Sequence, residues 1–270
     1  MPTTPPRLLR TLRRHDNETG TNDATEWLSR AHAAVARATD LTSLPFRGYH
    51  PGSNRSLVAL LGATHVFKVP FAHSEHVTPD TVVAAMVAWG ETGIGPESTA
   101  VAGGVLSRRL DVTDTPPTPD AIIDLLTADL TFTGGQPHTF AHRIDTLYAH
   151  ARARDTHGDL RDMIADGHAA ALDAVAAFGT RTTIAHGDLA AGNILATADG
   201  QHLLIDPEPI VGPRELDLAR LLESPTVDYT DAQIAAIARA AGLDPDLLAA
   251  CRRSEHTTMA VYRHAKAQGA

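Results

Sequence analysis

The 270-residue sequence has one cysteine, Cys251, which excludes an internal disulfide and leaves no thiolate cage for a metal. That usage fits a reducing compartment, with Cys251 as a small packed residue. Long apolar runs are missing too: none approaches the ~20 residues that span a bilayer. The stretch from Met1 to Arg14 lacks the apolar segment of a secretory signal. A cytoplasmic location without membrane attachment is expected. Basic charge is scarce, with 23 Lys and Arg against 32 Asp and Glu, a formal net charge of -9. A nucleic-acid partner needs a clustered basic surface and is not expected, whereas a cationic ligand is easily accommodated. The one basic cluster, Arg7, Arg10, Arg13 and Arg14, falls in a Pro/Thr-rich leader, and residues 1–22 are expected to be mobile. No internal repeat of solenoid length is present.

What the chain does have is enough apolar content, 43%, for a sizeable core in one large domain or two lobes. Its most informative stretch runs from Thr182 to Pro209. There His186-Gly187-Asp188 is followed five residues after the Asp by Asn193, and by Asp206 directly after the apolar run Leu203-Leu204-Ile205. The spacing is a phosphoryl-transfer layout. A hydroxyl attacking ATP needs a carboxylate to accept its proton, and Asp188 in a tight Gly-containing loop can serve. Mg2+ takes hard oxygen ligands and only one or two from protein carboxylates, so Asn193 and Asp206 can share it. Between them, Ile194 to Ala196 and Leu203 to Ile205 read as a hairpin turning at Asp199-Gly200, which would bring Asn193 and Asp206 to the same end.

These residues resemble the Brenner motif of the aminoglycoside phosphotransferase and choline kinase family, relatives of the protein kinases. The continuation Ile205-Asp206-Pro207, Gly212, Glu215, Asp217, Leu221-Leu222 and Pro225 is similar to the streptomycin 6-phosphotransferase branch. The resemblance implies an α+β, bilobal protein-kinase-like fold, with a small β-rich N-lobe, residues 23–112, and a larger, mostly helical C-lobe, residues 113–270. It also implies that Asp217 ties the catalytic loop to the following helix. Where that branch typically carries Lys after Asp-Pro, this chain has Glu208.

The string His-Gly-Asp-Leu occurs twice, since His157-Gly158-Asp159-Leu160 repeats it without companions: Ile164 stands five residues past Asp159, and no apolar strand ending in Asp follows. The earlier copy reads as the approach to a helix with Leu160, Ile164, Leu172, Val175 and Phe178 on one side.

Upstream, Asp23 is expected to cap a helix that turns Trp27, Leu28, Ala31 and Val35 to one side and packs on the small lobe. Two β runs follow, Leu57 to Leu61 and Thr64 to Val69, with Gly48, Gly52, Ser53 and Asn54 before them. This is similar to a nucleotide-covering hairpin, in which Gly52 and Ser53 would approach phosphate and Lys68 would reach the α and β phosphates. Lys68 lies within Val66-Phe67-Lys68-Val69, and burying an ammonium is costly without an anionic partner. The helix from Thr78 to Trp89 has no acid between Val82 and Val87 to pair with it, leaving Glu75 and Asp80 as alternatives. Strands are expected at Ser98 to Ala102 and Val105 to Leu110, and a lobe boundary in the Pro-rich stretch Asp114 to Pro119. Helices are expected from Pro119 to Leu130, Phe140 to Arg154, Asp159 to Phe178, Arg214 to Leu222, Asp231 to Ala241 and Pro245 to Lys266. His138 and His142 have the spacing of a zinc pair, but Thr139 stands where a zincin has Glu and no third ligand is evident, so they read as surface or satisfied histidines.

The expected activity is phosphorylation of a small-molecule hydroxyl using ATP and Mg2+. Only ten residues separate Asp206 from Asp217, too few for the activation segment of a protein kinase. The acceptor is expected to be a cationic small molecule such as an aminoglycoside or related basic antibiotic, held by Glu223, Asp228 and Glu255. Asp231 and Asp244 are set aside as helix-start residues. The alternatives are a choline- or methylthioribose-type kinase, or a nucleotide-binding regulatory protein without turnover.

Overall fold

The computed structural model describes residues 3–19, 21–52, 55–71, 78–155 and 157–267. The chain divides into two compact units, the first running to Val112 and including Phe132–Gln136, the second comprising Thr113–Thr131 and the chain from Pro137 onward.

The first unit opens with α1 (Pro6–Thr19) and α2 (Asp23–Thr42). The segment expected to be a mobile leader is therefore helical. Its Leu8 and Leu12, one turn apart, are buried in the same cluster as Trp27, Ala31 and Val35, while the four arginines point outward. Burial of that apolar stripe is what the Pro/Thr-rich composition concealed. Asp16 Oδ1 also accepts the Ala24 N–H at 2.9 Å, fastening the α1–α2 junction. Asn22, not Asp23, precedes the first turn of α2, and it makes no side-chain cap bond.

Next come β1 (Phe46–Tyr49), β2 (Ser56–Leu61), β3 (His65–Pro70), α3 (Pro79–Glu91), β4 (Ser98–Val101) and β5 (Gly104–Arg108). The strands form one antiparallel sheet in the order β1-β2-β3-β5-β4. Register places Lys68 on the central strand β3, between Val58 of β2 and Val105 of β5. α2 is held to this sheet by the Trp27 indole N–H, which donates to Pro70 O at 3.0 Å. The return segment Phe132–Gln136 packs back on α3: Gln136 N–H donates to Thr81 Oγ1 at 3.1 Å. Gly135 has φ +72, and a Cβ there would lie 2.6 Å from Thr81 Cα, so only glycine fits.

β6 (Val112–Thr113) leads into the second unit, which holds α4 (Pro119–Thr127), β7 (His138–Thr139), α5 (Phe140–Arg154), α6 (Arg161–Phe178), β8 (Ile184–Ala185), β9 (Ile194–Thr197), β10 (His202–Leu204), β11 (Ile210–Val211), α7 (Arg214–Leu222), α8 (Asp231–Ala240) and α9 (Pro245–Ala267). Several helix starts follow their capping chemistry. Thr78 and Thr118 cap α3 and α4 with Pro in the first turn, and Thr230 with Gln233 completes a capping box on α8. Asp244 Oδ1 accepts the N–H groups of Asp246 and Leu247, as its helix-start reading requires. On α6, Ile164 and Phe178 are buried as expected, but Leu172 is exposed.

Candidate active site

The β9–β10 hairpin forms with Leu204 opposite Ile194. One step further, the Ile205 N–H donates to Asn193 O at 3.0 Å, so Asn193 and Asp206 do share one end of the hairpin. Asp206 leaves the strand with φ +55, a left-handed conformation rare for a residue with a Cβ. Such strain is kept where the surroundings demand it and is common at functional sites. The Asn193 amide is oriented by its Nδ2, which donates to Asp188 O at 2.7 Å, leaving Oδ1 as its oxygen donor.

The loop Ala185-His186-Gly187-Asp188 enters from β8, which pairs with β11 on its far side. Gly187 is required twice over. Its φ is +81, and a Cβ there would sit 1.9 Å from Glu208 O. Only hydrogen lets the catalytic loop lie against the Asp206–Glu208 segment. His186, fully buried, locks that contact: its backbone O accepts the Glu208 N–H at 2.9 Å, and its ring contacts Ile205 O through Nε2 at 3.0 Å. Nδ1 accepts the Asp188 N–H at 3.3 Å. His186 thus braces the loop.

α7 presents one face to this loop. Asp217, 1% exposed, accepts the backbone N–H groups of His186 at 2.8 Å and Gly187 at 2.9 Å, one on each carboxylate oxygen. Burial pushes its carboxyl above the usual range, opposed by His186, Arg214 and the two N–H donors. Three residues on, Arg220 Nε donates to Asp188 Oδ1 at 2.8 Å. Just past the helix, Ser224 Oγ accepts the Ala191 N–H at 2.9 Å. Asp217 and Arg220 share one face of α7, and Ser224 follows just beyond its end, so this segment holds one loop at three points. Arg220 and Ser224 went unnoticed in the sequence, although their three- and seven-residue offsets from Asp217 are a usable signal.

Around this contact lie further charges. Arg143 of α5 donates to Glu208 Oε2 at 3.2 Å, with both side chains largely buried. The Glu208 that replaces Lys is thereby matched by an arginine. Glu255 of α9, expected to hold the acceptor, is only 2% exposed, and its Oε1 has no hydrogen-bond partner. Burial raises its carboxyl, against Arg143 and Arg220 and with Asp188 and Glu223 adding to the rise. Glu223, expected in the same role, is committed to His256 at 3.1 Å and Arg263 at 2.9 Å. Counting acids along the chain cannot see which are sequestered by burial or ion pairs. Asp228 is exposed in the loop between α7 and α8.

In the first unit, Lys68 is 7% exposed. α3 carries Asp80 in its first turn and Glu91 in its last, both exposed, with no acid between. Gly52 lies in an exposed turn, its N–H donating to His50 Nδ1 at 3.2 Å. Ser53, its companion in the expected phosphate loop, and Glu75 lie outside the described residues. His138 and His142 stack with ring centroids 4.6 Å apart, and among the described residues no group of three His, Cys, Asp or Glu could hold a metal ion.

Residues 132–262 match the profile of a family described as aminoglycoside/hydroxyurea antibiotic resistance kinase. No curated protein matches the sequence. Among solved structures the fold is similar to choline kinase LicA from Streptococcus pneumoniae, with 12% identity and a TM-score of 0.63 over 88% of this chain and 92% of that one. It is also similar to a putative fructosamine-3-kinase from Thermobifida fusca, with 20% identity and a TM-score of 0.54 over 86% and 96%. A third is an APH(2'') enzyme in complex with GDP and kanamycin, with 13% identity and a TM-score of 0.56 over 88% and 99%. These likenesses establish the protein-kinase-like fold.

Proposed function

We propose that the chain, whose residues 132–262 match the aminoglycoside/hydroxyurea antibiotic resistance kinase profile, is a small-molecule kinase that transfers the γ-phosphoryl group of ATP to a hydroxyl of an aminoglycoside or related basic antibiotic. The observation that carries the reading is the joint placement of Asp188, Asn193 and Asp206. Asp188 is held by Arg220 through Oδ1, and Asn193 contacts it from the hairpin end shared with Asp206. Asp188 accepts the acceptor's proton as the new P–O bond forms. His186, Asp217 and Ser224 act through the backbone, keeping the loop in place.

The donor set suits Mg2+, because Asn193 Oδ1 and the Asp206 carboxylate are hard oxygens at one end of a hairpin. Bound there, the ion would neutralise charge on the transferring phosphates. Lys68 is the phosphate clamp, and Gly52 with Ser53 is part of the phosphate loop. For a cationic acceptor, Asp228 is the exposed carboxylate available to bind it. A second reading, a neutral hydroxylated metabolite, is favoured by one observation: Glu223 is paired with His256 and Arg263, and Glu255 is withdrawn from solvent.

A panel of basic antibiotics, choline-type amines and neutral sugars, incubated with ATP and Mg2+ and followed by mass spectrometry of the acceptor, separates the two. Phosphorylation of an aminoglycoside with a KM that rises with salt supports the first reading. Turnover confined to neutral acceptors overturns it. No phosphorylated product from any member would sink both.

A further inference from the structure

A carboxylate that accepts a proton in line with a phosphoryl group has to present one oxygen and keep the other still. Asp188 sits on a loop, and its side-chain torsions are soft unless held. Two groups touch its oxygens, and they are unequal. Arg220 Nε reaches Oδ1 at 2.8 Å, whereas Asn193 Nδ2 lies 3.4 Å from Oδ2, beyond ordinary hydrogen-bond length. The strong, charge-assisted contact is the one from Arg220.

Arg220 is itself placed from several sides. Its helix is tied to the same loop one turn earlier through Asp217, and its Nη1 contacts Met259 Sδ of α9 at 3.4 Å. Glu255, also on α9, is buried with an oxygen that no donor satisfies. A carboxylate in that state is strongly unfavourable unless opposite charge lies near, and an apolar residue would serve stability better. The opposite charges acting on Glu255 are Arg143 and Arg220, and Arg143 is paired in turn with Glu208. Two buried or half-buried ion pairs flank the loop, Asp188 with Arg220 of α7 and Glu208 with Arg143 of α5.

We infer that Arg220 is a positioning residue for phosphoryl transfer: it locks Asp188 through Oδ1 so that Oδ2 takes the proton. The inference rests on the assignment of Asp188 as proton acceptor. It predicts an effect on turnover that exists only while Asp188 is a carboxylate.

The test compares Arg220→Gln and Arg220→Lys in the wild-type and Asp188→Asn backgrounds. Rates are measured with streptomycin as acceptor probe and, independently, as ATP hydrolysis with water as acceptor; ATP affinity is measured by calorimetry. Arg220→Gln should lower kcat about 100-fold, the cost of a loosely held catalytic group, with ATP affinity within about twofold. Arg220→Lys keeps the charge but not the geometry of Nε–H, and should recover about tenfold of that loss. In the Asp188→Asn background, Arg220→Gln should change the residual rate less than about threefold, since no carboxylate remains to be positioned. An equal loss in both backgrounds, or a parallel loss of ATP affinity, would mean a merely structural arginine. Should Arg220→Gln fail to fold, Arg220→Lys decides: kcat about tenfold down supports the inference, and unchanged kcat ends it. Undiminished turnover in Asp188→Asn alone instead overturns the assignment of the base. A dead Asp188→Asn beside a fully active Arg220→Gln overturns only the role of Arg220.

Discussion

Residues 157–160 and 186–189 are the same four amino acids, His-Gly-Asp-Leu, in two different settings. Their local backbones agree in the one feature that the string dictates: Gly158 has φ +77 and Gly187 φ +81. Everything else differs. His157 is exposed and His186 fully buried. Asp159 is 59% exposed, 4.0 Å from His264, whereas Asp188 is gripped by Arg220 at 2.8 Å. Around Gly158 a Cβ would meet only the Arg161 guanidinium, at 3.4 Å, but at Gly187 it would collide with backbone. A tight turn is local property, while a site needs partners from far along the chain.

The sharpest way to break the comparison is to neutralise each acid. Asp188→Asn should lower kcat about 1,000-fold or more with ATP binding retained, and Asp159→Asn should be silent; kinetics alongside calorimetric titration of ATP would show the reverse if the copies were misassigned. Next in size, Asp206→Ala should cost about 100-fold in activity and weaken Mg·ATP binding. The first copy has no counterpart to this residue. Wild-type activity persisting in excess chelator would contradict the assignment.

Glycine separates the copies by stability rather than rate. Gly158→Ala should cost about 1 kcal/mol, the ordinary penalty for a left-handed alanine. Gly187→Ala carries that penalty plus a backbone clash with Glu208 O and should lose about 3 kcal/mol or more. Urea unfolding midpoints give both values, and equal losses would mean that the loop can move away from Glu208 freely.

The smallest effect is one of pH. Burial raises the Glu255 carboxyl, so the folded protein holds that proton at pH values where the unfolded chain has released it. Stability from this group is full below the ordinary carboxylate range and is lost as pH rises through the folded value. Glu255→Gln cannot lose it. Its stability relative to wild type should therefore increase as pH rises above the ordinary carboxylate range, as read from paired denaturation curves. A flat or falling difference would show that Arg143 and Arg220 outweigh burial. Asp217 shifts in the same direction but is common to both chains and cancels.

Much of the local structure was legible because its causes lie within a few residues. The ends of α5 and α7 fall where helix periodicity put them, Phe140–Arg154 and Arg214–Leu222. The Asp199-Gly200 turn and the Thr-Pro and capping-box starts also formed as expected. α1 was missed because composition outweighed a two-leucine stripe. Leu172 was misplaced because an apolar residue near the buried side of a helix need not point into it. The surroundings of Glu223 and Glu255 were not legible because nothing local distinguishes a solvated acid from one paired with Arg263 or one that is buried.

The sequence by itself determined the chemistry on offer: which acids follow which at what interval, where the chain turns, and which copy of the string has an Asn and a second Asp behind it. Those are properties of spacing, and spacing is written in the chain. Only the tertiary structure decided that Arg220 grips Asp188 across 32 positions, that Asp217 fastens the loop from 31 and 30 positions away, and that Glu255 is withdrawn from solvent. The physical reason is that a charge acts through distance and burial, which the fold alone assigns.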